Sequence, residues 1–156
     1  MNEAASTEQV QATFNIEKLY VKGLSLEVPH SPSIFLEREN PQIDMQMHTE
    51  NSAVDAGIYE VTITVTLTAK LPSKDKVMFL IEAQQAGIFH VKNIPELELE
   101  SVLGVVCPNI LYPYIREVVT DVSVRAGFAP VLLNPINFEA LFQQQKAQAA
   151  AAATKH

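Results

Sequence analysis

The chain has one cysteine, Cys107, no tryptophan, and five glycines in 156 residues. A lone thiol cannot close an internal disulfide, so packing must hold the fold. Few glycines leave little material for a phosphate-cradling loop, and the Gly-rich phosphate, Cys-x-x-Cys and His-Glu-x-x-His patterns are absent from the sequence. His30, His48, His90 and His156 show no metal-ligand spacing. Cys107 stands before Pro108 in an apolar run and reads as a buried, inert thiol rather than a nucleophile. No nucleophile, base and orienting group come into view together, so no catalytic residue, metal site or cofactor is assigned. The chain reads as a binding protein, not an enzyme. A thioesterase-like fold would need a catalytic acid or histidine on its buried helix, where this sequence offers Tyr112 and Tyr114.

Basic charge is also scarce: Lys and Arg number 11 against 18 Asp and Glu, for a net charge of −7. That balance argues against a nucleic-acid or anionic-membrane surface and allows a basic partner or a polycationic client. No apolar run in the sequence approaches a membrane span. Met1 to Thr13 carries Glu3 and Glu8, no Lys or Arg, and no apolar stretch of signal-peptide length, so it is expected to be a mobile tail and the protein cytoplasmic.

What the sequence does have is strict alternation. From Tyr59 to Leu71 every second residue is apolar, with Glu60, Thr62, Thr64, Thr66, Thr68 and Lys70 between. This predicts a long strand with one dry face and one wet face, in an antiparallel sheet solvated on one side. A first strand, Phe14 to Val28, changes apolar phase near Glu17-Lys18 and again near Lys22-Gly23, and each change requires a bulge. Pro29, Pro32 and Pro41 make a stiff connection that still holds Ile34, Phe35 and Leu36. Ile43 to Thr49 predicts a second strand with Ile43, Met45 and Met47 on one face. The turn at Asp55-Ala56-Gly57 leads to the alternating strand, and Pro72 to Lys76 makes the hairpin to a fourth. That fourth strand puts Val77, Phe79, Ile81 and Ala83 on its dry side and Met78 and Leu80 on its wet side, and Ala86-Gly87 is expected to break or bulge it.

The remainder predicts helices. Pro95 opens a short one that Cys107-Pro108 stops, and a longer one spans Ile110 to Ala126, closed by Gly127. Its stripe of Leu111, Tyr112, Ile115, Val118, Val119, Val122 and Ala126 covers roughly 120° and is widened by Tyr114, more than one sheet needs. Phe128 to Pro135 is an apolar loop. Asn137 caps a last helix that starts at Phe138 and carries Leu141 and Phe142. From Gln143 the chain is Gln/Ala-rich and should fray or project. The fold class is therefore α+β: a four-stranded antiparallel Greek-key sheet with two main helices packed on one face. The domain is expected over residues 14–142, between a tail at 1–13 and another at 143–156.

The segments CPNILYPYIRE (Cys107 to Glu117), LLNPINFEALF (Leu132 to Phe142) and FLIEAQQAGIF (Phe79 to Phe89), in that pattern, resemble the SecB family of bacterial export chaperones. The resemblance covers about Phe14 to Phe142. It implies a homotetramer, a dimer of dimers, that binds unfolded precursors in the cytoplasm without nucleotide and delivers them to the ATPase SecA. It implies a client groove at Ile34, Phe35, Ile43, Met45, Met47, Phe138, Leu141 and Phe142, and a SecA-facing surface at Glu27, Leu80 and Glu82. Asn40 stands where relatives resemble one another in having Trp, and Gly23 where they often have an acid. A SecB-like chaperone for a dedicated client, such as an antitoxin, is the alternative.

Overall fold

The computed structural model describes residues 11–153. The N-terminal tail through residue 10, and everything after Ala153, lies outside the described residues. The four strands are β1 (Thr13–Glu27), β2 (Gln42–Asp55), β3 (Ile58–Leu71) and β4 (Lys76–Lys92). They form one antiparallel sheet in the order β1-β4-β3-β2. Hairpins join β2, β3 and β4, and the proline-bearing connection carries β1 to the far edge, which makes the sheet a Greek key. The alternation of β3 becomes a buried row, with Val61, Ile63, Val65, Leu67, Ala69 and Leu71 all at or below 1% exposure.

Strand β1 follows its phase changes. Its pairing with β4 slips between Ile16 and Lys18 and again between Val21 and Gly23. The two bulges keep Phe14, Ile16, Leu19, Val21, Leu24 and Leu26 opposite dry-face positions of β4 along the whole strand.

Three expectations need correction. Ala86-Gly87 does not interrupt β4, which pairs without a break from Ala83 to His90 with β3. The small residues serve close approach instead: a Cβ on Gly87 would lie 2.8 Å from the Phe89 ring and 3.1 Å from Leu111, so the glycine lets the long helix sit down on the sheet. Met78 is not on the wet face. A bulge opposite Ala69/Lys70 inserts one residue in β4, so Met78 and Phe79 are both buried, while Val77, expected on the dry side, pairs with Lys70 of the wet face. Finally, Cys107-Pro108 does not stop a helix. Helix α1 (Glu96–Ser101) runs through a π turn (Val102–Val106) into α2 (Cys107–Arg125). Pro108 lacks an N–H and its ring would crowd the carbonyl of Gly104, and the wider turn, closed by Cys107 N–H donating to Val102 O, takes up that mismatch.

The fused helix Glu96–Arg125 has 30 residues and enough apolar character to span a membrane by length and composition, which the two shorter helices read from sequence would not. Its apolar side faces protein: Leu111, Ile115 and Val119 are fully buried, and α2 lies on β3 and β4. The predicted glycine stop holds. Gly127 takes φ +93°, its N–H donates to Val124 O (3.0 Å), and Phe128 N–H donates to Ser123 O (3.1 Å), the paired bonds of a Schellman end. The last helix, α3 (Phe138–Ala153), begins as expected, with Ala140 N–H donating to Asn137 Oδ1 at 3.0 Å. It continues without a break through the Gln/Ala segment, whose residues from Gln143 on are exposed.

Candidate functional site

Because α2 covers β3 and β4, the dry side of edge strand β2 has only partial cover. Ile43, Met45 and Met47 pair with buried Ala69, Leu67 and Val65 and so point to the same side, yet Ile43 is exposed and both methionines are half-buried. Across from them runs the loop from Phe128 to Pro135. Between lies a groove of 510 Å³ lined by Pro41, Ile43, Met45, Met78, Phe79 and the loop residues Phe128 to Asn134. Apolar side chains line most of it, and Leu132 stands 74% exposed at the loop.

Farther along β2 a second, more polar groove of 340 Å³ opens between Thr49, Glu50 and Asn51, the α1 residues Leu99 and Glu100, the π turn at Leu103 and Gly104, and Phe142, Gln145 and Lys146 of α3. Phe142 is seated on Gly104, where a Cβ would come within 2.7 Å of its ring. Lys146 stands 4.8 Å over that ring and 3.7 Å from Glu100. The β2 stretch Ile43 to Asn51 thus borders a strip that holds the two separate grooves in turn. At roughly 3.4 Å per residue it is about 27 Å long, enough for an extended segment of about eight residues. Strand β2 is also an edge of the sheet, so its outer backbone groups have no strand partner among the described residues.

The residues expected for client binding divide by depth. Ile43, Met45, Met47, Leu141 and Phe142 are partly accessible, Ile43 and Met45 in the first groove and Phe142 in the second. Ile34 and Phe138 are buried, Phe138 edge-on to Tyr112 with ring centroids 5.6 Å apart, so they support the walls from below. Phe35 is between: it is half exposed and stacks on Phe128 (5.2 Å), which in turn stacks on Phe79 (4.6 Å). The proline-bearing connection is thereby fastened to the groove loop. Its other anchor is the β3–β4 hairpin, where Lys74 Nζ donates to Glu37 (2.7 Å) and Ser73 N–H to Glu39 (3.2 Å). Sequence reasoning missed Phe128, Val131, Leu132 and Met78 as lining residues, and it missed the second groove. A signal was present in the apolar run Val131-Leu132-Leu133 inside a proline-flanked loop.

On the opposite face the structure brings Glu27, Leu80 and Glu82 together. Glu27 pairs with Leu80 across β1 and β4, Glu82 pairs with Ser25 one step along, and all three are at least partly accessible. The same face holds a polar cluster. Tyr20 Oη donates to Glu60, and Lys22 Nζ lies 2.6 Å from the other carboxylate oxygen. Tyr20 pairs with Ala86 of the intervening strand, whose small side chain is fully buried, and Lys22 comes from the second bulge of β1. The hydrogen bonds from Lys22 and Tyr20 hold the Glu60 carboxyl below its ordinary range, and burial with the Glu60 contact pushes Tyr20 up to about 12. Cys107 is fully buried, and desolvation pushes its thiol up to about 12. Among the described residues no cluster of His, Cys, Asp and Glu could hold a metal ion.

An open apolar strip with a rigid floor and a free strand edge is suited to a chain that presents both side chains and backbone, and the class it defines is a polypeptide-binding chaperone. Residues 7–149 match the family described as Preprotein translocase subunit SecB, and this chain belongs to the SecB family. It is 58% identical over 142 residues to the protein-export protein SecB of Nitrosomonas eutropha, covering 91% of this chain and 89% of the relative. It is 52% identical over 156 residues to that of Methylobacillus flagellatus, covering 99% and 98%. Its fold is similar to that of a SecB-like chaperone from Mycobacterium tuberculosis solved in complex with a peptide from an antitoxin, with a TM-score of 0.66, 20% identity, and coverage of 79% and 90%. The function is that of a protein-export chaperone.

Proposed function

We propose that unfolded precursors bind in extended form along the strip beside β2, and that the chaperone holds them in the cytoplasm without nucleotide until SecA takes them over. The observation that carries this reading is the partly covered row Ile43, Met45 and Met47, of which Ile43 and Met45 face the apolar loop across a 510 Å³ groove. Phe142 extends the contact at the second groove, Leu141 packs beside it against the core, and Ile34, Phe35 and Phe138 brace the walls. Thioether side chains adapt to varied sequences, which suits a binder of many clients.

The surface that meets SecA is Glu27, Leu80 and Glu82, an apolar anchor between two acids, which fits a Lys/Arg-rich segment on the partner. Assembly is a homotetramer built as a dimer of dimers. Its support is apolar surface that one chain leaves open: Phe14, Ile16, Val21, Leu24 and Leu26 of β1, with Tyr114 and Val124 of α2, are all exposed in the single protomer. The antitoxin-dedicated alternative has less behind it, because the more similar relatives are named for protein export. The direct experiment is suppression of aggregation of a denatured precursor by purified protein without ATP. Full aggregation at a stoichiometric excess of folded chaperone would refute the reading.

A further inference from the structure

The wall of the first groove is a loop without regular secondary structure. Two of its residues, Pro130 and Pro135, have no N–H to give. Such a segment holds one shape only if its backbone groups find partners elsewhere. Val131, at the middle of the wall, finds both on α2. Its N–H donates to Ser123 Oγ at 3.0 Å, and its carbonyl accepts from Thr120 Oγ1 at 2.7 Å. Ser123 is 0% exposed, and its own proton goes to Thr120 O at 2.8 Å, which leaves the oxygen's lone pairs for Val131. Farther on, Tyr112 Oη donates to Asn134 O. Two hydroxyls one helical turn apart thus treat a single loop residue as a neighbouring strand would. Valine or alanine at either helix position would pack, as Val119 and Val122 do beside them, but would supply no partner.

We infer that Thr120 and Ser123 are positioning residues for client binding: their hydroxyls fix the loop's distance from Ile43 and Met45, and with it the width of the groove and the lifetime of the bound client. The inference rests on the groove reading above and assigns it two residues that touch no client. Without the pair the loop would keep its apolar anchors, Leu133 and the Phe128 stack, but would move at its centre.

The test uses full-length protein with Thr120→Val, Ser123→Ala and the hydroxyl-retaining Thr120→Ser, beside Met45→Ala as a groove control. The probe is reduced, carboxamidomethylated α-lactalbumin, a permanently unfolded chain. Amide exchange at Val131 should accelerate tenfold or more in the Val and Ala variants. Probe release should quicken severalfold, and both readouts should return to wild type in Thr120→Ser, with assembly unchanged throughout. Thr120 is half-buried and valine is nearly isosteric, so that variant carries the test if Ser123→Ala does not fold. Wild-type release by Thr120→Val, beside faster release by Met45→Ala, overturns the positioning role alone. Wild-type release by every variant overturns the groove reading and this inference with it.

Discussion

Replacing Val21 and Leu24 by Asp should leave the fold intact and abolish assembly. In the single protomer these side chains are 48% and 49% exposed on the dry-face side of β1, so neither charge would be forced into the core. The exposed remainder of each is on the order of 80 Å², or about 2 kcal/mol at roughly 25 cal/mol per Å² if a second copy covers it. In an isologous interface each residue counts twice, so the double substitution removes on the order of 8 kcal/mol, before the cost of desolvating the carboxylates it introduces. A micromolar dissociation constant corresponds to about 8 kcal/mol in total, so little affinity would survive. Multi-angle light scattering at micromolar concentration should report a tetramer for the wild type and a smaller species for the variant, with unchanged far-ultraviolet circular dichroism. A variant that remained tetrameric would show that the β1 row is not the seam, and the reasoning from exposed apolar surface to assembly would fail.

On the opposite face, Glu82→Lys and Leu80→Gln should each weaken SecA binding in calorimetry, more at low salt for the charge reversal, since exposed charges are screened over about 8 Å at physiological ionic strength. Tetramer formation and client binding should be unchanged, and unchanged SecA affinity in both variants would place docking elsewhere. The Glu60 cluster gives a pH dependence whose sign is fixed. Its folded-state pKa is lowered, first by Lys22 and then by Tyr20, so its contribution is present above the unfolded carboxylate range and is lost as pH falls through the folded value. Denaturant titrations of wild type and Glu60→Gln should therefore converge in acid and separate toward neutrality, and a constant difference would rule out ionisation as the source. Cys107, buried with its thiol pushed up to about 12, should resist thiol reagents at pH 8 until the chain unfolds. Cys107→Ser in a well-folded tetramer should bind clients normally, and lost binding would reveal chemistry not seen in the fold.

Period-2 patterning made most of the sheet legible, because a strand's side chains must alternate and any lapse requires an inserted residue. Hence both β1 bulges could be placed near Glu17-Lys18 and Lys22-Gly23 from the apolar phase alone. The Met78 bulge was hidden because Met78 and Phe79 are both apolar, and such a run fits either phase. Pro108 misled for a related reason. Its local effect is to break a helix, and only the π turn ahead of it, stabilised by Leu103 and Val105 packing on the core, allows the helix to continue. Residues on β2 and α3 are named for the groove through the resemblance to the SecB family; patterning alone shows only that their apolar side chains stand unsupported at a strand edge and a helix start. The loop's role could not be read beforehand, because nothing local to Phe128 to Asn134 reveals that Ser123 and Thr120 bring it opposite Met45.

Client binding depends most on the strip beside β2, and one comparison measures it: affinity for an unfolded precursor, by calorimetry without nucleotide, in wild type, the single variants Met45→Ala, Met47→Ala and Phe142→Ala, and the triple variant. Met45 and Phe142 line separate grooves and Met47 lies between them, so each partial contact of about 1 kcal/mol should be lost almost independently. Each single change should weaken binding about fivefold, since about 1.4 kcal/mol is tenfold, and the folded triple variant by roughly a hundredfold. Wild-type affinity in the folded triple variant would contradict the assignment of clients to this groove.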